Sequence, residues 1–587
     1  MAKFIFTWHN INYSVEERCG SFLNGSKKRK ILIDDVSGCA FSGSVIAIIG
    51  GSGCGKTALL TLLSGQRKGR GVLKINGRII TGKMLRSNST YLQQSDVFFE
   101  NLTVEEHITF KAAMSLNKTK TERELIISLL LKNLSLGHLT YVKIKNLSSG
   151  EKRRLSLLSC LFSDPYILFC DEPISGLDSF SATTIVKILI EVASSGKIVF
   201  MTVHQPSSEV FELFNNIIML SPNGKIVFEG SKDNAKTFFE SQLLFCPSSY
   251  NPADFYLNHI IIKTPNDERK IEDLVKQFKE DYSLKFDFPE NGYHGLLLKY
   301  KEKENGFLHE LKWLSWRVFV NLGRNTEEHY FSFILTVITA SILGIVYSNV
   351  TLAETSAVQS IQGVLLLIVS ELIFIQMYQA IYTFPEEVNI FVQEKELYSP
   401  LPYFLSKTVS LIPFALVHSL VFLIIYFTCL PFLTTSKLLL EMYLILFLTS
   451  VCGSSLGLCL SALFPTLEYI NLFIVPFEIL CLVLSGLWIR IHTLSKAFSI
   501  VKYISPFYVT YESICIVYWL DVGHITNCSE IDTTTCFENG TDVLGNYDFG
   551  QTYERVSNNL IFLIILIIAY CYIGYIGILR KRALYHI

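Results

Sequence analysis

The chain has 587 residues, a formal net charge of -1 and 50% hydrophobic residues. Its length suggests several domains, and its balanced charge argues against a nucleic-acid partner, which would need a basic face. The apolar residues are unevenly spread, since residues 1–325 mix polar and apolar side chains whereas residues 330–580 contain long runs almost free of charge. This asymmetry predicts a soluble domain followed by a membrane domain.

The start of the chain lacks the long apolar core of a secretory signal peptide, because residues 1–6 run directly into the polar segment 8–10. We therefore expect the first half of the chain to stay in the cytosol and the later helices to direct membrane insertion. The fourteen cysteines are scattered without a CxxC pair. Their pattern indicates neither a zinc site nor a redox motif.

A glycine-rich loop lies between a predicted strand and a predicted helix. Residues 4–49 predict strands with a polar hairpin at 24–30, ending in the apolar strand 45–49, and residues 58–63 predict a helix. The connecting loop consists of Gly50, Gly51, Ser52, Gly53, Cys54, Gly55, Lys56 and Thr57. Glycines let the backbone N–H groups curl toward an anion at the positive end of the helix. This setting predicts a phosphate-binding loop for a nucleoside triphosphate.

Polar side chains at the ends of the next elements predict how the nucleotide is used. Lys56 would reach the β- and γ-phosphates, and Thr57 would hold Mg²⁺. Of two adjacent glutamines after an apolar strand, Gln94 would offer its amide oxygen to Mg²⁺ and to the attacking water. A later apolar strand ends in Asp171 and Glu172. This ending predicts Asp171 on Mg²⁺ and Glu172 beside a water that it polarises.

Three further motifs accompany that strand. Ser148 and Glu151 are spaced as a capping box, which predicts a helix start just before the Asp-Glu strand. A Ser-Gly-Leu-Asp turn ending at Asp178 follows the strand, and His204 follows another apolar strand. A histidine after a strand is usually structural, but in this series we predict that His204 senses the γ-phosphate.

The order of these motifs resembles the ATPase domain of ABC transporters over residues 30–260. The His-Gln-Pro-Ser-Ser segment at 204–208 and the Asn-Pro-Ala-Asp-Phe segment at 251–255 are similar to the G subfamily, half-transporters with the ATPase domain first. The resemblance implies an α/β ATP-binding cassette domain at 1–260, a P-loop NTPase with a helical subdomain. An all-α transmembrane domain of six helices would follow. ATP and Mg²⁺ are the implied ligands.

The resemblance also implies a composite site, in which the phosphate loop of one chain faces the signature motif of another. The signature residues Ser148, Ser149, Gly150 and Glu151 are expected at the nucleotide of the partner chain, and Asp178 is also expected to bind nucleotide. Family members stack an aromatic ring of the first strands on adenine, for which Tyr13 and Trp8 are candidates, although aromatics on a strand face more often belong to the core.

The signature motif departs from the family pattern at one position. The family usually has Ser-Gly-Gly, and here Ser149 replaces the first glycine while Gly150 is retained. Because signature N–H groups approach the γ-phosphate, the Ser149 side chain can crowd that approach. Activity at the site that this signature completes is therefore an open question, whereas the machinery on the chain's own phosphate-loop side is intact.

Residues 261–328 are expected to form a linker and an amphipathic connecting helix. Apolar residues recur there at helical spacing, namely Leu308, Leu311, Leu314, Val318 and Leu322. This helix could lie on the membrane surface or, as the family implies, transmit the motion of the ATPase domain. Both roles are compatible.

Residues 329–587 are expected to form the transmembrane domain. The predicted spans lie at about 330–348, 361–383, 404–430, 438–463, 469–488 and 558–579. Six crossings from a cytosolic start return the basic segment 580–582 to the cytosol, as the positive-inside rule prefers. The loop 384–403 then lies inside, and the loop 349–360 lies outside.

A long outer segment is predicted at 489–557, whose first part at 497–520 would re-enter the outer face of the membrane, as in family members. Its polar part carries Cys528 and Cys536, which can form a disulfide on that side. Three glycosylation triplets fall outside in this topology, at Asn349, Asn527 and Asn539.

The candidate substrate path contains four residues. Glu371 is an ionisable residue within a span, which marks either a functional site or a carboxyl bonded between helices. The resemblance places Phe374 on a central cavity and makes Leu487 and Trp488 similar to an apolar plug above it.

These features predict ATP-driven export or flipping of a hydrophobic or amphipathic small molecule or lipid by a dimeric half-transporter. The partner is either a second copy or another G-type half-transporter, and membrane lipid surrounds both. Two alternatives stay open: a catalytically asymmetric subunit of an obligate heterodimer, and a non-transporting ATP-dependent regulator. We expect the plasma membrane rather than an organelle membrane, and the sequence does not name the substrate.

Overall fold

The computed structural model describes residues 4–19, 26–247, 249–262, 265–283, 305–348, 350, 355–429, 435–488, 502–522, 525 and 537–584. The chain forms two compact units that divide between Asn305 and Gly306. The first unit contains the predicted nucleotide motifs, and the second contains the long apolar runs.

The strands of the first unit form two sheets. The strands are β1 (Ile5–Cys19), β2 (Ser26–Phe41), β3 (Val45–Gly50), β4 (Arg70–Ile75), β5 (Arg78–Ile79), β6 (Ser89–Leu92), β7 (Ile167–Cys170), β8 (Ile198–Val203), β9 (Asn216–Leu220) and β10 (Ile226–Ser231). One sheet is antiparallel in the order β2-β1-β4-β5, and the other has the order β10-β9-β3-β8-β7-β6. In the second sheet β6, β7, β8, β3 and β9 run parallel. Their carboxyl ends therefore meet at one edge, where ligands bind in such folds.

The helices of the first unit alternate with these strands. They are α1 (Lys56–Leu63), α2 (Gly82–Arg86), α3 (Val104–Ser115), α4 (Lys120–Asn133), α5 (Ser149–Leu161), α6 (Ser179–Ser194), α7 (Ser208–Glu212), α8 (Lys232–Ser241), α9 (Pro252–Ile260) and α10 (Pro265–Ser283). The α/β fold predicted for this half is confirmed. Helix α10 occupies part of the stretch that we expected to be a linker or small helices.

An aromatic cluster fills the space between the two sheets. Phe200 stacks on Phe169 with ring centroids 5.3 Å apart and meets Trp8 edge-on at 5.7 Å. Trp8 is 0% exposed. Of the two candidates for adenine stacking, Trp8 is therefore unavailable, because its ring supplies core packing. Tyr13 remains partly exposed on the same strand.

The second unit is all-helical among its described residues. Its helices are α11 (Phe307–Arg324), α12 (Thr326–Tyr347), α13 (Thr355–Ile381), α14 (Thr383–Gln393), α15 (Pro400–Cys429), α16 (Ser436–Leu463), α17 (Leu467–Val483), α18 (Pro506–Val522), α19 (Gly540–Asn546) and α20 (Tyr553–Leu584). Five helical segments in the described part are long and apolar enough to cross a membrane: His329–Tyr347, Ala357–Gln393, Pro400–Thr428, Ser436–Leu463 and Tyr553–Ala583. The sixth predicted span, 469–488, coincides with α17, which has 17 residues and lies at the short end of membrane-crossing lengths.

The segment 384–403 differs from our expectation of a loop. Helix α14 continues almost directly from α13, and its Glu387 is paired rather than solvated. Glu387 accepts from the phenol of Tyr403 at 3.1 Å and forms a buried ion pair with Lys407 at 2.5 Å. These tertiary partners stabilise the segment as a helix, although its charged residues are typical of a loop.

Close packing of α13 on α16 forms the centre of the second unit. A Cβ atom added to Gly453 would lie 2.8 Å from the backbone oxygen of Ile373, and one added to Gly457 would clash with the backbone oxygen of Met377. Glycine at these two positions therefore permits the two helices to approach backbone to backbone. The helix α18, in the segment expected to re-enter the membrane, is buried along nearly its whole length in the same core.

Several predicted outer residues fall in segments that the structure does not describe. Asn349, Asn527, Cys528 and Cys536 lie outside the described residues. Asn539 is described, and its backbone N–H donates to the carboxylate of Asp542 at 3.0 Å at the start of α19.

The amphipathic helix α11 belongs to the second unit, where it packs along α15. Leu314 and Val318 are buried, whereas Leu308 is exposed. Arg317 lies on the buried face, because its guanidinium pairs with the carboxylate of Glu394 at 2.7 Å. Burial by itself would lower the pKa of Arg317, but the Glu394 charge outweighs burial and raises that pKa above its ordinary value.

We expect Arg317→Met to destabilise the protein by about 3–5 kcal/mol, because it leaves the Glu394 carboxylate buried without its cation. Lys437→Met is the matched control, since Lys437 forms an exposed pair with Glu441 at 3.8 Å. The thermal unfolding midpoint of the full chain in detergent measures both changes. Equal midpoints for the two variants would contradict the structural role of the buried pair.

Candidate nucleotide-binding site

The phosphate loop connects β3 to α1 at the carboxyl edge of the parallel strands. Gly55 precedes the helix with φ +97°, a conformation that residues with a side chain rarely adopt. A Cβ atom there would also lie 2.6 Å from the backbone oxygen of Leu32. Glycine at this position therefore permits the loop to curl against the first sheet. The neighbouring Cys54 thiol is buried, and burial raises its pKa, so this cysteine is an inert packing group.

Lys56 folds back over the loop that precedes it. Its ammonium group donates to the backbone oxygens of Gly50 at 2.9 Å and Gly51 at 3.0 Å. The side chain is buried, so a positive charge is held inside the curve of the loop. That charge is placed where an anion would meet both the ammonium group and the N-terminus of α1.

The carboxylate of Asp171 joins three elements through neutral hydroxyl donors. One oxygen accepts from Thr57 at 3.0 Å and from Thr202 at 2.7 Å, and the other accepts from the phenol of Tyr91 at 3.0 Å. Burial, followed by the nearby Asp171 charge, raises the pKa of Tyr91, which keeps the phenol a donor. Asp171 thus links the phosphate loop to the ends of β6, β7 and β8.

This arrangement fits a magnesium ion. Asp171 is 5% exposed, and the described residues supply it with hydroxyl partners and no cationic side chain. A buried negative charge is costly unless a cation offsets it. The Thr57 hydroxyl and the Asp171 carboxylate are hard oxygen ligands of the kind that Mg²⁺ binds together with phosphate oxygens. These two residues would hold the ion.

Glu172 and Gln94 meet beside this carboxylate. The amide of Gln94 donates to the Glu172 carboxylate at 2.8 Å. Glu172 has φ +43°, which is uncommon for a residue with a side chain and clusters at functional sites. The hydroxyl of Thr202 accepts from the Glu172 backbone N–H at 2.8 Å and stabilises that conformation. The predicted general base and the predicted Gln loop are therefore adjacent.

Arg153 holds this part of the site together, and sequence reasoning did not assign it a role. It is 3% exposed and lies on α5, one turn beyond the signature motif. Its guanidinium donates to five acceptors: the backbone oxygens of Gln93 (2.7 Å), Asp171 (3.2 Å), Glu172 (2.9 Å) and Pro173 (3.0 Å), and the Asp96 carboxylate (2.9 Å). These bonds fix the Gln loop against the end of β7. In the sequence, the only indication of a role for Arg153 is that it belongs to the run of basic residues after the signature motif.

The signature residues lie at the exposed start of α5. Ser148 caps the helix, accepting from the Glu151 N–H at 3.4 Å while its own N–H donates to the Glu151 carboxylate at 2.8 Å. Ser149 is exposed. A Cβ atom on Gly150 would lie 3.1 Å from the Ser181 hydroxyl, so this glycine permits close packing on α6. Within one chain these residues form a well-capped helix start.

Two other predicted residues lie at exposed ends of elements. Asp178 caps α6, accepting from the Ser181 N–H at 2.9 Å, and this bond lowers the pKa of the Asp178 carboxyl. His204 follows β8 at the carboxyl edge of the parallel sheet and is exposed. Tyr13 lies under the guanidinium of Arg67, 5.9 Å from its ring centre.

The candidate path residues lie in the second unit. Glu371 and Phe374 share a partly exposed face of α13, and Phe374 packs against Phe507 at 5.5 Å between ring centres. Leu487 is partly buried against the helical core, whereas Trp488 is 72% exposed. Both follow the C-terminus of α17.

Comparisons with known proteins match both units. Residues 33–175 match the ABC transporter family, and residues 309–519 and 204–289 match two models of ABC-2 type transporters. The chain is 30% identical to protein scarlet of Drosophila melanogaster, over 95% of this chain and 88% of that protein. It is 31% identical to protein white of the same species, over 67% of this chain and 61% of that protein. It is 27% identical to the broad substrate specificity ATP-binding cassette transporter ABCG2 of Rattus norvegicus, over 84% and 80%.

We expect Arg153→Lys to lower the rate of ATP hydrolysis by about tenfold or more, because an ammonium group cannot reach five acceptors held by a planar guanidinium. ATP binding should change by no more than about threefold, since the phosphate loop is untouched. Arg154→Lys is the matched control, as Arg154 makes one hydrogen bond within the described residues, to the Leu134 backbone oxygen. Steady-state hydrolysis and equilibrium ATP binding measure these effects. Equal rates for the two variants would contradict the role of Arg153.

Proposed function

Because the chain belongs to the G-subfamily half-transporters of the ABC transporter family, we propose that it exports or flips a hydrophobic or amphipathic small molecule or lipid as a dimer. ATP-driven transport and integration in a membrane follow from the family itself. The observation that carries the proposal is the 2.8 Å contact between Gln94 and Glu172 beside the buried Asp171 carboxylate. That contact supports the proposal, because it joins the amide that we expect to position water to the carboxylate that we expect to act as general base.

Each residue of the nucleotide site has a proposed task. Lys56 binds the β- and γ-phosphates, and Thr57 and Asp171 hold Mg²⁺. When bound, the ion offsets the negative charge that develops on the phosphate oxygens. Glu172 accepts a proton from the attacking water, which Gln94 orients.

His204 completes the proposed arrangement on the far side of the γ-phosphate. Its position directly after β8 places it at the same sheet edge as Asp171 and Glu172. As a hydrogen-bond donor there, it holds the γ-phosphate in line with the attacking water.

Transport requires two chains in this proposal. One chain contributes one ATPase domain and one set of membrane helices, and the exposed signature residues Ser148 and Ser149 would contact the nucleotide of the partner. ATP binding closes the ATPase domains on each other, and hydrolysis separates them. Closure moves the membrane helices and drives substrate past Leu487 and Trp488.

The proposed topology has six crossings, formed by α12, α13, α15, α16, α17 and α20. Both chain ends then face the cytosol, and the basic segment 580–582 obeys the positive-inside rule. The triplet that begins at Asn539 faces outward as a glycosylation acceptor. We assign the plasma membrane as the location.

A second candidate function is an asymmetric subunit of an obligate heterodimer. The exposed Ser149 favours it, because its side chain stands at the helix start where the family has glycine. In that arrangement the site completed by this signature hydrolyses slowly, and the partner chain supplies the competent signature for the other site.

We expect Glu172→Gln to lower ATP hydrolysis at least about hundredfold while ATP binding persists, because the amide cannot accept the proton of the attacking water. The matched control is Glu191→Gln on the exposed side of α6, which should hydrolyse like the unmodified chain. Hydrolysis is measured on the full chain in lipid nanodiscs, with mass photometry on the same sample.

The result separates the candidates. Hydrolysis by a dimer of this chain alone, lost in Glu172→Gln, supports the homodimer. A dimer without hydrolysis, or a monomer, contradicts the homodimer and favours the heterodimeric subunit. Hydrolysis that survives Glu172→Gln contradicts the assignment of the base.

A further inference from the structure

One face of α13 carries a stripe of acidic and aromatic side chains. Glu371, Phe374 and Tyr378 are separated by three and four positions, so they lie above one another on this helix. Each is partly exposed in the single chain, in contrast to the neighbouring face that packs against α16. The stripe is therefore not covered by the chain's own core.

A second carboxylate reaches this stripe from α17. The phenol of Tyr378 donates to one carboxylate oxygen of Glu478 at 3.3 Å. The other oxygen of Glu478 is buried and has no hydrogen-bond partner among the residues that the structure describes. Sequence analysis did not identify Glu478 as a candidate, because a single glutamate near Pro476 is not part of a motif with a recognisable spacing.

These two helices offer the carboxylates no cation. Neither α13 nor α17 contains a lysine, arginine or histidine. Within the described residues, neither Glu371 nor Glu478 forms an ion pair, and His329, which reaches α13, contacts Gln379 at 3.4 Å. Ionisable residues inside a membrane are costly, and they mark the path of a charged ligand when no protein partner neutralises them.

We infer that Glu478, together with Glu371 and the rings of Phe374 and Tyr378, binds the cationic group of a lipophilic organic cation. The inference rests on the proposed transport function and names its substrate class. A carboxylate with an unused oxygen attracts a cation strongly at low dielectric. The faces of the aromatic rings add a second attraction for cations. Sites that combine aromatic and acidic groups therefore usually bind cations. Neutral and anionic amphiphiles lack both contributions.

Two probes of equal size and opposite charge test the inference. Tetraphenylphosphonium and tetraphenylborate have similar hydrophobic surfaces, so a purely apolar path would bind both alike. Equilibrium binding is measured on the full chain in lipid nanodiscs, with protein-free nanodiscs subtracted. We expect tetraphenylphosphonium to bind at least about tenfold more tightly than tetraphenylborate.

Variants locate the effect. Glu478→Gln should weaken tetraphenylphosphonium binding about tenfold, the value of a lost charged contact, whereas Glu478→Asp should retain most of the affinity. Glu468→Gln is the matched control, because Glu468 is an exposed carboxylate on the same helix. The thermal unfolding midpoint of each variant shows whether the chain is folded.

Each outcome decides the inference. Equal binding of the two probes, or full tetraphenylphosphonium affinity in folded Glu478→Gln, overturns it. An affinity loss shared by Glu468→Gln also overturns it, since a general charge effect would then suffice. ATP hydrolysis on the same preparations separates the two proposals: a hydrolysing chain indifferent to the cation contradicts only this inference, and a chain without hydrolysis contradicts the proposed function.

Discussion

The carboxylate of Asp171 is the constraint on which the nucleotide site depends. It is a buried charge that accepts from the hydroxyls of Thr57, Thr202 and Tyr91. Those three donors lie on the phosphate-loop helix, on β8 and on β6. One ionic group therefore sets the position of the loop relative to the strands that carry the catalytic candidates. Because all three donors are neutral, a bound cation would complete the site electrostatically, as we propose for Mg²⁺.

The segments around that carboxylate are held in place by hydrogen bonds to backbone atoms rather than to other charged groups. Arg153 uses four of its five bonds on backbone oxygens of the Gln loop and of the segment after β7. Such bonds hold loops in place without neutralising Asp171 or Glu172. The unusual backbone of Glu172 is stabilised in the same way, by Thr202 and by Arg153. The structure thus keeps its negative charges available for ligands.

In the second unit, most buried charged side chains form ion pairs within the chain instead. Arg317 with Glu394 and Lys407 with Glu387 are ion pairs that link helices near the start of α15. Glu478 and Glu371 stand apart because no basic side chain on their helices neutralises them. Charges that stabilise the fold are therefore paired within the chain. Glu371 and Glu478, which form no ion pair within the described residues, are the carboxylates from which we infer ligand binding.

The parts of the fold predicted correctly are those set by local pattern. The phosphate loop could be predicted because β3 and α1 adjoin it in sequence, and the apolar runs were long enough to identify membrane helices. Tertiary partners decided the rest. From the sequence alone, the Trp8 side chain could lie on either face of its sheet. Only its contact with Phe200 in the structure shows that it belongs to the core.

Charged residues were the least predictable. The segment 384–403 was predicted as a loop because it lies between two apolar spans, yet distant partners pair with Glu387 and Glu394. Arg153 binds backbone atoms of two segments far from it in sequence, which no spacing rule reveals. Glu478 depends on a tyrosine of another helix. In each case the sequence shows the charge but not its partner.

The most direct test of this account is the dependence of ATP binding on Mg²⁺, compared between the unmodified chain and Asp171→Asn in lipid nanodiscs. The account predicts that Mg²⁺ tightens ATP binding to the unmodified chain, because the ion offsets the buried carboxylate. Asp171→Asn should still bind ATP through the phosphate loop but lose that tightening. Tightening of equal size in the folded variant would contradict the account, since the carboxylate would then not be the group that the cation completes.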